Sequence, residues 1–305
     1  MNSAKHISLA DWGLMVMLSV IWAGSFLFVG IAVKELSPLV IVLARVVLAA
    51  AGLVVLLVVT GTKLPRDRAS WITIGGLSVL NNILPFILIV TGQTMIASGL
   101  ASVINATTPL FGVAFIAMAG LEPLVARKVG GLLIGVAGVA IIKGGTLFGA
   151  GSQSIGILCC LGAAACYGLG SLWAKAKLKG ISPVSAATGQ LLCSSAIMMV
   201  FAFAFDDPWT LLDASLQGWL ALLGLSLLAT SFAYVIFYQV VQRAGPANVL
   251  LVTMMIPASA IAMGFLVLHE TLEPREIIGA LIIIGALVII DGRVVSLLRR
   301  GGKTA

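Results

Sequence analysis

Three prolines lie inside long apolar stretches, and each is preceded four positions earlier by a polar residue. They are Pro85, Pro109 and Pro257, and the polar residues are Asn81, Asn105 and Thr253. A proline within a helix leaves the carbonyl four residues earlier without its backbone donor. In lipid, such a carbonyl must find another partner or line a wet cavity. The pattern predicts either interrupted helices around a site for a small solute or polar side chains that complete their own kinks. We favour the first.

Further polar and aromatic side chains lie at similar depth in the apolar stretches. In such stretches they usually face the interior of the helix bundle, where they either tie helices together or contact a solute. Trp22 lies mid-stretch, away from the ends where Trp normally meets the membrane surface. Its indole either packs in the core or offers a flat wall and one N–H. Together with the prolines, the candidate solute-binding residues are Trp22, Asn82, Pro85, Asn105, Pro109, Tyr167, Thr230, Tyr234, Tyr238 and Pro257.

Arg45 is the only charged residue well inside an apolar stretch. It lies about seven residues, hence about 10 Å, from Pro38 at the start of that stretch. A charge at this depth is a functional candidate, for example for docking a carboxylate. Alternatively, the side chain bonds backbone carbonyls and extends outward towards Glu35.

Several kinds of chemistry find no support in the sequence. All 11 acidic residues fall in loops or near helix ends, and neither histidine is central, so the usual proton relay of a pump is missing. No nucleotide-binding loop, zinc-protease motif or serine-hydrolase motif occurs. The 4 cysteines lie in apolar stretches without ligand spacing. We therefore expect no enzymatic activity, no metal and no cofactor.

The composition is that of a polytopic membrane protein. Hydrophobic residues make up 60% and charged residues 10% of the 305 positions, against about 45–50% and about 25% in soluble proteins. A spanning helix needs about 20 mainly apolar residues, and ten segments qualify. The predicted fold is all-α, with ten transmembrane helices near 12–33, 38–60, 71–93, 99–119, 128–144, 153–174, 183–204, 216–240, 246–268 and 276–297.

The chain contains an internal repeat. The run from Gly131 to Gly144 reappears 148 positions later from Gly279, and the same offset relates Glu122 to Glu270 and Pro109 to Pro257. Each half has five spans, an odd number, so the second half must be inverted in the membrane. The predicted units are 1–144, a glycine-rich linker at 145–153, and 154–305. Inverted repeats are typical of transporters with a midplane site.

The net charge of +7 does not indicate a nucleic-acid groove. With a cytoplasmic N-terminus, fourteen of the 18 basic residues lie on the cytoplasmic side, three lie outside, and one is Arg45. This bias predicts that both termini are cytoplasmic. The basic residues then meet anionic lipid, and we expect no nucleic-acid partner.

The sequence resembles the drug/metabolite transporter superfamily, specifically its ten-helix EamA-type permeases. The motifs that carry the resemblance are Ile21-Trp22-Ala23-Gly24-Ser25-Phe26, Leu36-Ser37-Pro38 with Arg45, Pro109 with Glu122 and Gly131, and Pro257 with Glu270 and Gly279. The resemblance covers essentially the whole chain. Gln190 stands where the first half has Arg45, so a symmetric arginine pair is absent. Because the family motif includes this arginine across varied substrates, the resemblance favours a structural role for Arg45.

The resemblance implies a secondary carrier that exports small metabolites, most likely amino acids, across a bacterial inner membrane. The absence of a central carboxylate predicts facilitated export or exchange; the alternative is a proton-coupled drug/metabolite efflux carrier. Amide, hydroxyl and aromatic groups suit a zwitterionic or neutral solute. We expect helices 1, 3, 4, 6, 8 and 9 to line the pathway. Gly131 and Gly135 form a GxxxG spacing, which favours close helix packing and gives only weak support for a dimer, so we expect a monomer or a weak homodimer.

Overall fold

Ten long helices build the part of the protein that the structure describes. The computed structural model describes residues 8–123, 125–144, 151–178, 180–243 and 249–291, and no strand occurs in these ranges. The helices are α1 (Leu9–Ala32), α2 (Pro38–Val59), α3 (Arg68–Gln93), α4 (Ser98–Met118), α5 (Ala126–Lys143), α6 (Ser152–Lys177), α7 (Pro183–Phe205), α8 (216–243), α9 (249–268) and α10 (Pro274–Asp291). Since α6 begins at Ser152, the last two residues of the predicted linker are helical.

Local sequence signals fix where several helices begin. The side-chain oxygens of Ser8, Ser37, Asp67, Ser182 and Ser215 each accept a hydrogen bond from a first-turn backbone N–H. Such caps satisfy donors that a helix start leaves unpaired. Ser37 and Ser182 are each followed by proline at the first helical position, where its missing N–H costs nothing. The second helix of each half therefore begins in the same way.

Eight of the ten helices are long and apolar enough to cross a membrane. The other two, α5 and α10, are 18 residues long and carry three charged residues each, close to their ends. These two helices pack along each other. The all-helical fold of two five-helix repeats agrees with the sequence prediction.

We name the two ends of the bundle by the chain segments found there. The terminal face is where α1 begins and α10 ends, and the linker face is where α5 ends and α6 begins. Two helix groups run between these faces: α3, α4 and α6 pack together, as do α1, α8 and α9, while α2 packs against α7 and α8. The first group meets the second mainly where α4 contacts α9 and α1.

The contact between α5 and α10 displays the pseudo-twofold relation of the repeats. Gly131 faces Ile290, and a Cβ at Gly131 would lie 2.3 Å from Ile290 Cγ1. The repeat-equivalent pair behaves alike: a Cβ at Gly279 would lie 2.4 Å from Ile142 Cγ1. Gly135 faces Leu110 of α4, and a Cβ built on Gly135 would lie 2.2 Å from Leu110 Cδ1. Both glycines of the GxxxG spacing are thus used within one chain, which removes their support for a homodimer.

Replacing Gly279 with valine should destabilise the protein. The new side chain meets Ile142 and the Gly138 carbonyl, 2.7 Å from the Cβ position, and overpacking of this kind costs about 1–3 kcal/mol. We expect a lower melting temperature and a lower monodisperse yield in detergent. Gly285→Val is the matched control, because it lies in the same helix with nothing within 4 Å of its Cβ position. Equal effects of the two substitutions would contradict this packing.

Candidate functional site

The third helix of each repeat contains a π-helical segment. These segments are Val79–Ile83 in α3 and Gly224–Phe232 in α8, and the repeat offset superposes the first on the second. π turns inside α-helices occur frequently at functional sites. Asn82 and Thr230 occupy equivalent positions within them. Both residues are buried, and the Asn82 amide nitrogen has no hydrogen-bond partner.

Arg45 lies against both π-bearing helices. Its Cζ lies 3.6 Å from the centroid of the Phe86 ring in α3, and its Nε donates to Thr230 Oγ1 in α8 at 3.3 Å. The residue is only 7% exposed. Tyr167 of α6 and Tyr234 of α8 are its electrostatic neighbours. Arg45, Phe86, Tyr167, Thr230 and Tyr234 together form what we call the central cluster.

The outward extension of Arg45 towards Glu35 is not observed. Glu35 instead accepts from the backbone N–H of Ser215 at 2.9 Å and from its hydroxyl at 2.7 Å. These bonds lower the pKa of the Glu35 carboxyl. Thr230 also donates to the Leu225 carbonyl at 2.8 Å, so the guanidinium joins a side chain already fixed on α8. Arg45 therefore lies in the bundle interior. Its contacts with α3 and α8 determine the direction of its side chain, which its position in the sequence left open.

An aromatic row connects α1 to the central cluster. The ring of Trp22 lies 5.8 Å from that of Phe237, and Phe237 lies 6.5 Å from Tyr234 in an edge-on arrangement. Trp22 is half-buried between the core clusters of α1 and its neighbours. Tyr238 follows on α8, but its side chain is outside the part of the structure that is described. Trp22, Tyr167, Thr230 and Tyr234 are thus brought near one another, and Phe237, which the sequence interpretation missed, links two of them.

Helix α4 is interrupted at residues 106–107, just before Pro109. It consists of Ser98–Asn105 and Thr108–Met118. The Thr108 hydroxyl donates to the Asn105 carbonyl at 2.7 Å, so the carbonyl freed by the proline is satisfied by its near neighbour. The Asn105 side chain is not used for this purpose, and its Oδ1 is enclosed without a partner.

The other two prolines do not break their helices. Pro85 lies two residues after the π segment of α3, and the helix continues to Gln93, so the interruption expected at Pro85 is not found. Pro257 lies inside the continuous segment Val249–Met263 of α9. The expected interruption at Pro257 is therefore wrong, although Pro109 is its repeat equivalent. A helix can absorb a proline by a kink without losing its helical course.

The two halves of α4 are buried to different extents. Every residue from Ser98 to Ile104, on the linker-face side, is buried. In Thr108–Met118, on the terminal-face side, only Leu110 and Gly112 are buried. Ile261 of α9 lies directly against Gly99, since a Cβ built on Gly99 would be 3.2 Å from the Cα of Ile261. Helix α4 is therefore tightly enclosed on one side of its break and loosely on the other.

Comparison with known proteins identifies the family. The EamA-like transporter family matches this chain twice, over residues 12–144 and 154–291. The chain belongs to that family. It is therefore a multi-pass membrane transporter, and the resemblance inferred from the sequence motifs is confirmed.

Several relatives share nearly the whole length of this EamA-like transporter. "Uncharacterized transporter YoaV" of Bacillus subtilis is 24% identical over 274 residues, which cover 88% of this chain and 92% of that protein. "Uncharacterized inner membrane transporter YedA" of Escherichia coli K12 is 28% identical, covering 87% and 85%. A crystal structure matches with a TM-score of 0.64 and 16% identity, covering 93% of this chain and 97% of that one. At this identity the structural likeness supports the fold alone.

Repeat-equivalent glutamates make different contacts in this transporter. Glu270, after α9, accepts from the Ser98 backbone N–H at 2.9 and 3.0 Å and from the Ser98 hydroxyl at 2.7 Å. It thereby caps α4, whose own sequence supplies no side-chain cap. Glu122 instead pairs with Lys128 at 2.9 Å and with Lys175. These two hydrogen-bonded lysines lower the pKa of Glu122 to about 2.

One polar contact and one unpartnered polar side chain were not found from the sequence. Asn81 donates to Gln190 at 3.3 Å, which joins α3 to α7. Gln93 is buried at the end of α3 with both amide atoms unpartnered. Its position near the end of a span is typical of an ordinary interfacial residue, so no sequence signal distinguishes it. Gln190 was recognised only as the counterpart of Arg45.

Proposed function

We propose that this EamA-like transporter is a secondary carrier that exports small metabolites, with amino acids as the favoured class, by alternating access. Transport is facilitative or by exchange. We place the protein in a bacterial inner membrane, with the terminal face in the cytoplasm and the linker face outside. The proposed solute-binding residues are the central cluster with Trp22, Asn82 and Asn105, adjoining the three prolines. Tyr238 remains a proposed member on sequence grounds.

The unequal burial of α4 carries this proposal. A carrier that alternates must close one side of a midplane site at a time, and inverted repeats provide two equivalent gates. The tight enclosure of Ser98–Ile104 and the looser packing of Thr108–Met118 suit a state closed at the linker face. The break before Pro109 lies between them, at the depth of the unpartnered Asn105 Oδ1. An open channel needs no such asymmetry.

The chemistry of the cluster favours amino acids among small metabolites. It offers hydroxyl groups, aromatic faces and one cation, with no carboxylate among its members. The further proposed residues Asn82 and Asn105 add amide groups. Such a set can hold a small zwitterion by its carboxylate and its apolar side chain. Polyanions would call for several cations.

The test is counterflow in proteoliposomes. Vesicles loaded with one unlabelled amino acid are diluted into a trace of the same labelled compound, and a panel of amino acids, drugs and neutral metabolites is compared. We expect transient labelled accumulation that saturates with concentration and is stimulated by internal solute. Flux that neither saturates nor responds to internal solute would indicate a channel. Counterflow with drugs but not with amino acids would overturn the proposed substrate class.

The same vesicles should show no accumulation driven by a pH gradient. The lowered pKa of Glu122 means that its ion pairs are present above its ordinary value of 4.5 and are lost only as pH falls towards about 2. It therefore stays ionised at physiological pH in this structure. With equal solute on both sides, an imposed gradient should leave the distribution unchanged. Uphill accumulation that disappears in Glu122→Gln or Glu270→Gln would favour the proton-coupled alternative.

A further inference from the structure

The central cluster contains a buried cation without a protein counter-ion. Arg45 is 7% exposed, and no acidic residue of the described ranges forms an ion pair with it. The carboxylates nearest in the sequence and at the faces are engaged elsewhere: Glu35 with Ser215, and Glu270 with Ser98. A buried charge normally acquires a paired opposite charge, because the loss of water is costly.

The immediate neighbours of Arg45 leave one side of its guanidinium available. The Phe86 ring covers one flat face, and Thr230 takes the Nε donor. Neither terminal Nη has a hydrogen-bond partner among the described residues. The Nη atoms are also not among the fully enclosed unpartnered atoms, so they keep some accessible surface. The edge that carries two parallel donors is thus free to bind an incoming group.

We propose that Arg45 anchors a carboxylate of the transported solute. Two parallel N–H groups of a guanidinium match the two oxygens of a carboxylate, a geometry that a point charge such as lysine does not offer. The flanking hydroxyl-bearing residues Tyr167 and Tyr234 then lie beside the bound group. This inference rests on the proposed function only in that the same cluster binds the solute.

The repeat partner of Arg45 limits the charge of that solute. Gln190 is neutral, and its amide accepts from Asn81 and donates to the Ala186 carbonyl. The cluster therefore offers one cation rather than a symmetric pair. One carboxylate per solute satisfies it, whereas a dicarboxylate or a phosphate ester brings charge that no second cation matches. The substrate class is a solute with one carboxylate, either with an uncharged remainder or with one ammonium group that makes the whole solute zwitterionic.

The first arm of the test compares acids with their alcohols in the wild-type protein. Counterflow is measured for leucine against leucinol and for 4-methylpentanoate against 4-methylpentanol. Each compound is added as an unlabelled competitor of a labelled transported solute. Leucine and 4-methylpentanoate should inhibit at concentrations at least about tenfold lower than the corresponding alcohols, because one good interaction changes an affinity about tenfold. Alcohols that compete as well as their acids would overturn the role of Arg45. Transport of 4-methylpentanoate but not of leucine would reject amino acids while leaving the carboxylate anchor in place.

The second arm uses substitutions. Arg45→Gln reproduces the side chain found at the repeat-equivalent position, so an amide at this depth has a precedent in the same fold. We expect Arg45→Gln to abolish the preference for acids over alcohols. The separate variant Arg45→Lys should retain only part of that preference. Arg243→Gln is the control, since that arginine pairs with Asp11 at the terminal face. An acid preference unchanged in folded Arg45→Gln protein would contradict the proposal.

Discussion

Replacing Glu270 with alanine should open the linker face and shift the carrier towards the opposite state. The carboxylate caps α4 through the backbone and hydroxyl of Ser98, and it also approaches the Gly99 N–H at 3.4 Å. Helix starts are stabilised by such anionic acceptors. Because Glu270 belongs to the second repeat and Ser98 to the first, these bonds hold the two halves together.

The expected size follows from the number of bonds lost. A hydrogen bond to a charged group contributes about 1.5–3 kcal/mol, and about 1.4 kcal/mol already changes a conformational ratio tenfold. We therefore expect at least about a tenfold change in the population closed at the linker face. Glu270→Gln keeps the shape with weaker acceptors and should lie between alanine and the wild type.

Accessibility of an introduced cysteine measures this shift. Ser102→Cys places a thiol in the buried half of α4, where the hydroxyl now donates to the Gly99 carbonyl. In a background without the four native cysteines, a membrane-impermeant reagent at the linker face should label it about tenfold faster in Glu270→Ala. Glu273→Ala is the matched control, because that neighbour pairs only with Arg275 at the surface, where ion pairs contribute about 0–1 kcal/mol. Equal labelling in both variants would argue against a closing role for Glu270.

The repeat and the ten helices were predictable because they depend on long-range pattern rather than on detail. A single sequence shows which apolar runs are long enough to span a membrane. It also shows that one offset relates Gly131 to Gly279 and Glu122 to Glu270. The π segments were not predictable, since one extra residue in a turn leaves the apolar pattern nearly unchanged. The helix break at Pro109 was expected, while the continuity at Pro257 depends on how α9 packs.

The candidate site was predictable in its residue types but not in its pairings. Trp22, Tyr167, Thr230 and Tyr234 stand out as polar or aromatic residues in apolar spans. That Arg45 stacks on Phe86 and bonds Thr230 is a contact between helices separated by up to 185 positions. Similarly, the Glu270 cap joins residues 172 positions apart. No periodicity or spacing within one sequence encodes such partners, although the repeat shows which positions are comparable.

Replacing Pro109 with alanine should slow transport strongly while leaving solute affinity nearly unchanged. Alanine supplies the N–H that proline lacks, so the Asn105 carbonyl can form a helical bond and the two segments of α4 can join. The segments are buried to different extents in this structure, and the alternating access proposed above requires one to move relative to the other. A continuous helix opposes that movement, because conformational steps often limit turnover. We expect a maximal counterflow rate reduced about tenfold, as for a barrier raised by about 1.4 kcal/mol.

The repeat provides the control for this prediction. Pro257→Ala removes the equivalent proline from α9, but Val249–Met263 is already continuous through that position, so little changes when the missing donor is restored. Its maximal rate should fall less than about threefold, well short of the effect at Pro109. Rates and half-saturation constants for the same solute separate the two cases, since a hinge alters the rate whereas a binding contact alters the half-saturation constant. Equal losses of rate in both variants would show that the break in α4 is not the hinge. An effect confined to the half-saturation constant would place Pro109 in solute binding alone.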